Sequence, residues 1–310
     1  MNIFSFLRRR KPIPEPWAKY YTKEELNIKI PDISMYDQVK KSAHLYPNYI
    51  AYEYMGKKCL YKDFIEEINE WAKVFHSSGV KHGDIVTISL PNIPNVLVVL
   101  YALNKMGAIA NMVHPLSSEE EILFSLNSTK SKYLVMLNTF YNKIENVIGK
   151  SNVDAVIFAS AADYMPIYMK LFYNLSQIGK YKKYPKNNMY YSWKKFYKKY
   201  YVTNHIKFPK FCKDTPAVII HSGGTSGTPK NVVIQNRAFI LGALQENILM
   251  KNLHAGDCCL AIMPNFHGFG LSVLMHTPLA LGCYSILIPQ FDAKKFDIMF
   301  QNCLLYTSPS

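Results

Sequence analysis

Within residues 222 to 231 (Ser-Gly-Gly-Thr-Ser-Gly-Thr-Pro-Lys-Asn) the residue types suit a loop that wraps an anion. Gly223, Gly224 and Gly227 let backbone amides approach closely. The hydroxyls of Ser222, Thr225, Ser226 and Thr228 add donors, and Lys230 adds a point charge. Charge-assisted hydrogen bonds of this kind contribute about 1.5–3 kcal/mol each. Such a set is large enough for a polyphosphate. The spacing is not that of a Walker P-loop, because Pro229 precedes the lysine and Asn231 follows it. On composition alone, a Gly/Ser/Thr cluster between strands is equally well a surface turn.

The flanks place this cluster. Pro216 to Ile220 reads as a buried strand running into it, and Val232 to Ile234 as a strand leaving it. Asn236 is the expected cap of a helix from Arg237 to about Met250, with Phe239, Ile240, Leu244 and Ile248 as its apolar stripe.

Read whole, Ser222 to Lys230 resembles the phosphate-binding signature of the adenylate-forming (AMP-binding) superfamily, which includes acyl-CoA synthetases, luciferases and the adenylation domains of peptide synthetases. Asn231 stands where that family usually has glycine or alanine, and His221 where it often has tyrosine. The segment Ile262 to Gly270 (IMPNFHGFG) looks like the Pro-x-Phe-His block that lines the acyl pocket. Gly79 to Pro94 and Lys105 to Pro115 are similar to the family's opening blocks. Trp17, Pro31-Asp32 and the segment from Tyr49 to Asp63 look more like long-chain fatty acyl-CoA synthetases than like amino-acid adenylation domains.

The resemblance implies an ATP-dependent acyl-CoA ligase. Its substrates would be a fatty acid, ATP and coenzyme A, with magnesium as cofactor and a carrier protein as the alternative acyl acceptor. It implies phosphate binding by Ser222, Gly223, Gly224, Thr225, Ser226, Gly227, Thr228 and Lys230, and substrate binding by Phe266, His267 and Gly268. His267 alone would read as a packed histidine; the surrounding motif puts it beside the substrate carboxylate or acyl tunnel and not in the role of proton-transfer base. His114 and His276 have no such support and read as structural. No metal ligands are expected in this segment. The family's later motifs, including its catalytic lysine, are missing from the chain. The expectation is therefore a front portion of a longer enzyme, inactive and poorly soluble alone, with residues 303–310 an artefactual tail.

Composition agrees with a folded enzyme part. At 310 residues and 49% hydrophobic content, the chain can bury a large core. Six cysteines without metal-ligand spacing suit unpaired thiols in a reducing, cytoplasmic compartment. No apolar run is long enough to span a bilayer.

Strands alternate with helices, which predicts an α/β fold with mostly parallel sheets, the N-terminal domain of the acyl-CoA synthetase-like fold in two α/β subdomains. A hairpin is expected around Gly56-Lys57 in residues 50–61, then a helix from Tyr61 to Ser78 with Phe64, Ile68, Trp71 and Phe75 inward. Strands are expected at Ile85 to Leu90, Ala108 to Val113, Tyr133 to Leu137 and Val153 to Phe158. A helix over 94–106 should end at Gly107 in a left-handed cap, and Ser117 or Ser118 should open the next helix with a capping box. The expected organisation is a tail and lead-in (1–30), a first subdomain (31–160), a basic insert (161–213) and a second, incomplete subdomain with the phosphate loop (214–302).

Charge is uneven. Residues 164–213 carry twelve lysines, ten tyrosines and no Asp or Glu, and supply +12 of the formal +14. Three readings compete for this window: contact with an anionic membrane surface, making the protein peripheral to the inner membrane; a funnel for anionic substrates; and a solvated linker. Nucleic-acid binding is not expected.

Overall fold

The computed structural model describes residues 16–222, 230–251, 253–291 and 294. The chain divides into two units, Met1–Ile30 and Pro31–Ser310. In the first, helix α1 (Lys23–Leu26) is opened by a capping box between Thr22 and Glu25. Residues 303–310 lie outside the described residues.

The second unit begins with α2 (Met35–Leu45), β1 (Ile50–Tyr54), β2 (Lys57–Leu60), α3 (Tyr61–Ser77), β3 (Ile85–Ser89), α4 (Pro94–Met106), β4 (Ile109–Met112) and α5 (Glu119–Thr129). Next come β5 (Tyr133–Leu137), β6 (Ala155–Ala159), α6 (Ile167–Ser176), β7 (Tyr190–Ser192), α7 (Trp193–Tyr200), β8 (Pro216–Ser222) and β9 (Lys230–Gln235). Helix α8 (Asn236–Leu249), β10 (Cys258–Ala261), α9 (Gly268–Leu271), α10 (Thr277–Leu281) and β11 (Tyr284–Leu287) follow among the described residues.

Among the described residues these strands form two mixed sheets. The larger runs β7-β6-β5-β3-β4-β8-β9, parallel throughout except for β9, which is antiparallel to β8. The smaller runs β10-β11-β1-β2, with only β1 and β2 antiparallel. The sheets interleave along the chain: in the smaller one β1, early in the sequence, pairs in parallel with β11, more than two hundred residues later.

Period-two alternation gives the large sheet a core on each face. From β5 and β6, Tyr133, Val135, Leu137, Ala155, Ile157 and Ala159 join the main core with α3 and α4. Leu134, Met136, Val156 and Phe158 point the other way, into a second core with Ile122 and Leu126 of α5. Phe64, Ile68, Trp71 and Phe75 of α3 are buried as the spacing predicts. Helix α4 is apolar on nearly every side and is correspondingly buried.

Local signals hold up well. Met55 and Gly56, at φ 51° and 79°, make the β1–β2 turn, one residue earlier than expected. Gly107 caps α4 at φ 68°, and Ser118 pairs with Glu121 in the capping box of α5.

Asn236 requires a correction. It is not the cap of α8: Gln235 holds that position without a side-chain cap, and Asn236 is the first helical residue. Its buried carboxamide is committed elsewhere. Oδ1 accepts from Met35 N at 3.1 Å and from Asn104 Nδ2 at 2.8 Å, while Nδ2 donates to Cys212 O at 3.0 Å.

The lysine-rich window is partly built into the core, which removes the solvated-linker reading for residues 190–200. Strand β7 is the sheet edge against β6, and Trp193 of α7 stacks on Trp71 with ring centroids 3.7 Å apart. Phe196 is fully buried. Two large aromatic side chains on one short helix hold more apolar area than their lysine neighbours can keep in solution.

Candidate functional site

The strands flanking the glycine-rich loop form an antiparallel pair in which Ser222 lies opposite Lys230 and His221 opposite Asn231. Both ends of the loop are thereby fixed at one place. Gly223, Gly224, Thr225, Ser226, Gly227 and Thr228 lie outside the described residues. Ser222 and Lys230 are exposed where β8 ends.

Beside that end is a cavity of about 200 Å³ whose lining includes Met112, His114, Ser125, His221, Ser222, Phe266 and His267. Ser222 and the Phe266–His267 pair, far apart in sequence, thus meet at the carboxyl ends of parallel strands β4 and β8, the place where α/β sheets collect ligands. Gly268, the third residue of the expected substrate set, begins α9 and is not part of this lining.

A buried polar network supports the β8 side. Asn111 Nδ2 donates to Thr87 Oγ1 at 2.8 Å and to Ser125 Oγ at 2.9 Å. Its Oδ1 is therefore the acceptor toward His221 Nε2, 2.7 Å away, so that nitrogen carries the proton. Burial holds the His221 pKa below the ordinary histidine value, which keeps the ring neutral. Asn231 Nδ2 donates to Ser128 Oγ at 3.0 Å, tying the start of β9 to α5.

A second brace holds the aromatic–histidine segment. Asn92 Nδ2 donates to the carbonyls of Ala261 (2.8 Å) and Met263 (2.9 Å), and its Oδ1 accepts from Asn265 N at 3.0 Å. Gly270 is required by close approach, because a Cβ there would stand 2.2 Å from the Pro264 carbonyl oxygen.

His114, which reads from sequence as structural, lines this cavity. Its ring lies 4.2 Å from that of Phe266, and Nδ1 accepts from Leu116 N at 2.8 Å. Burial, then the neighbouring His267, pushes its pKa below the ordinary value. The one available signal was its place after a predicted parallel strand. His276, by contrast, is fully buried between Tyr101 OH and Gln38 Oε1, and burial drives its pKa down to about 3. It is a structural residue.

Among the described residues, no three His, Cys, Asp or Glu side chains converge on a metal position. Glu121, the carboxylate of the cavity wall, is committed to Ser118 N at 2.9 Å. A larger cavity of about 460 Å³ lies between α3 and α7, away from both motifs. There Tyr164 donates to Glu67, whose pKa burial raises to about 7.

Comparison with known proteins places the chain in a family. The family described as AMP-binding enzyme matches residues 39–305. A long-chain-fatty-acid–CoA ligase of Bacillus subtilis (strain 168) is 27% identical over 285 residues, which is 90% of this chain and 50% of that protein. The 4-coumarate:CoA ligase 1 of Petunia hybrida is 22% identical, covering 86% of this chain and 46% of that one. The chain thus spans about half the length of these curated relatives. In fold it is similar to a putative long-chain-fatty-acid CoA ligase from Rhodopseudomonas palustris, with TM-score 0.72 and 19% identity over 88% of this chain and 62% of that one. An anthranilate CoA ligase in complex with anthranoyl-AMP also gives TM-score 0.72, at 16% identity over 89% of this chain and 48% of that one. With the family model matching residues 39–305, most of the length, the chain belongs to the AMP-binding enzyme family of adenylate-forming ligases.

Proposed function

We propose that this chain supplies the phosphate- and acyl-binding side of an ATP-dependent acid–thiol ligase whose acid is a long-chain fatty acid. The observation that carries the reading is the meeting of Ser222, at the mouth of the glycine-rich loop, with Phe266 and His267 at one cavity. In the reaction, a carboxylate oxygen attacks the α-phosphorus of ATP and pyrophosphate leaves. The coenzyme A thiolate then attacks the acyl carbonyl and AMP leaves. Holding the reactants in line and neutralising the polyphosphate are what the protein must provide.

In this reading Ser222 to Thr228 and Lys230 hold the β- and γ-phosphates. The neutral His221, fixed by Asn111, orients the last residues of β8, and Phe266, His267 and Gly268 face the acyl side, with His114 packed behind Phe266. Magnesium, when bound with ATP, supplies further charge neutralisation. The fatty-acid class is supported by the higher identity to the Bacillus ligase than to the plant coumarate ligase. We also read the lysine-rich window, 164–213, as the side that meets an anionic membrane surface. Among the described residues no helix is long and apolar enough to cross one.

Calorimetric titration of the chain with pyrophosphate tests the loop. Lys230→Ala should weaken binding by about tenfold or more, as expected for one charge-assisted contact. Unchanged affinity in both Lys230→Ala and Ser222→Ala overturns the assignment. ATP–pyrophosphate exchange driven by palmitate, 4-coumarate or anthranilate tests the acid class, and the acceptor in the second half-reaction separates coenzyme A from a carrier protein.

A further inference from the structure

Helix α6 presents its apolar face outward. Met169 and Tyr173 are the residues that pack against the core. Ile167, Tyr168, Leu171, Phe172 and Leu175 are exposed, Ile167 to 89% and Phe172 to 70%. At about 100° per residue these five share one arc about 140° wide. Ile178, just past the helix, is also exposed, at 74%. An apolar arc of this extent on a protein surface marks something that covers it.

The surroundings say what covers it. Lys170 stands beside the arc, and Lys180, Lys183 and Lys186 follow directly, all exposed, in a segment with no Asp or Glu, while Lys182 is paired with Glu145. A second copy of the chain meeting α6 about a twofold axis would set lysines against lysines. Single-stranded nucleic acid would stack on planar rings, whereas Ile167, Leu171 and Leu175 are aliphatic. Aliphatic and aromatic side chains flanked by lysines match the boundary between acyl chains and anionic headgroups.

We propose that α6 is an interfacial anchor that lies in the headgroup–acyl boundary of an anionic membrane, with Ile167, Leu171, Phe172 and Leu175 inserted and the lysines that follow on the headgroups. This rests on the reading of residues 164–213 as the membrane side and names the element that inserts.

Co-sedimentation with phosphatidylcholine vesicles, with and without phosphatidylglycerol, tests it. The chain should bind the anionic vesicles. The double variant Leu171→Asp/Phe172→Asp should lower the partition coefficient by more than about tenfold, and because both side chains are exposed the fold should persist. Replacing Lys180, Lys183 and Lys186 by Gln should cost about fivefold per lysine on anionic vesicles only, and flatten the salt dependence. A Tyr168→Trp reporter should shift its emission to the blue on anionic vesicles. If the chain binds and the double variant binds equally, or if the reporter is unmoved, α6 is not the anchor. If the chain binds no vesicle, the membrane reading of the whole window fails, and the ligase reading stands untouched. If the double variant instead abolishes self-association in sedimentation velocity, the face belongs to a second copy and the proposal is overturned.

Discussion

The Nε2 of His221 lies 2.7 Å from Oδ1 of Asn111, a bond that joins the last turn-ward residues of β8 to the neighbouring strand β4. Asn111 is fully buried and also donates to Thr87 and Ser125. The ring next to the proposed phosphate loop is therefore held in one tautomer and one orientation. Asn111→Ala would leave the His221 N–H with only Ser125 as partner and remove a donor from two buried hydroxyls. A buried polar group left without its partner costs about 1–3 kcal/mol. The expected loss, read by denaturant unfolding, is about 2–3 kcal/mol, with a weaker pyrophosphate affinity in the fraction that remains folded.

Asn92 is expected to separate the two sides of the cavity. Its carboxamide grips Ala261, Met263 and Asn265 just before Phe266 and His267, and touches nothing on β8 or β9 among its assigned partners. Asn92→Ala should reduce binding of a fluorescent fatty acid severalfold while pyrophosphate affinity stays at the unsubstituted value. Equal losses for both ligands would show that the segment is not held locally.

Two glycines at similar φ give a controlled comparison. Gly107, at φ 68°, would place a Cβ 2.3 Å from the Phe211 ring, whereas Gly83, at φ 80°, opens onto empty space. Gly83→Ala carries the conformational penalty alone, about 1 kcal/mol. Gly107→Ala adds overpacking against Phe211 and His82, for a total of about 2–4 kcal/mol. Thermal unfolding of the pair reads the difference.

His276 sets a pH dependence. Its folded pKa is held at about 3 by burial, below the ordinary value of about 6.5. The unfolded chain therefore takes up the proton first as pH falls. The contribution to stability is complete above about pH 6.5 and is lost between about 6.5 and 3, at roughly 1.4 kcal/mol per pH unit. Glu67 acts in the opposite sense: its pKa is raised to about 7 from 4.5, so it costs stability as pH rises through that interval. Comparing the chain with His276→Gln removes the Glu67 contribution from the difference, and the variant should show the shallower acid limb.

Much of this protein is written in short-range pattern. Alternation along residues 133–137 and 153–158, the apolar spacing of 64, 68, 71 and 75, the glycine at 107 and the Ser118–Glu121 box each specify their element through neighbours a few residues away. The order of residues from Ser222 to Lys230 carried the family in the same way, because a polyphosphate loop is a contiguous segment. What sequence could not state is which distant groups become neighbours. Asn236 reads as a cap because it precedes an apolar stripe, and only the packing of α2 and α4 against α8 gives its carboxamide other partners. His114 joins Phe266, Asn92 grips the segment before His267, and β1 pairs in parallel with β11, all across more than a hundred residues. The outward apolar face of α6 was hidden for the same reason: a helix with apolar residues on both sides does not say which side the core will take. Packing of the half-buried Met169 and Tyr173 against the core decided that, and left Ile167, Leu171 and Phe172 to face outward.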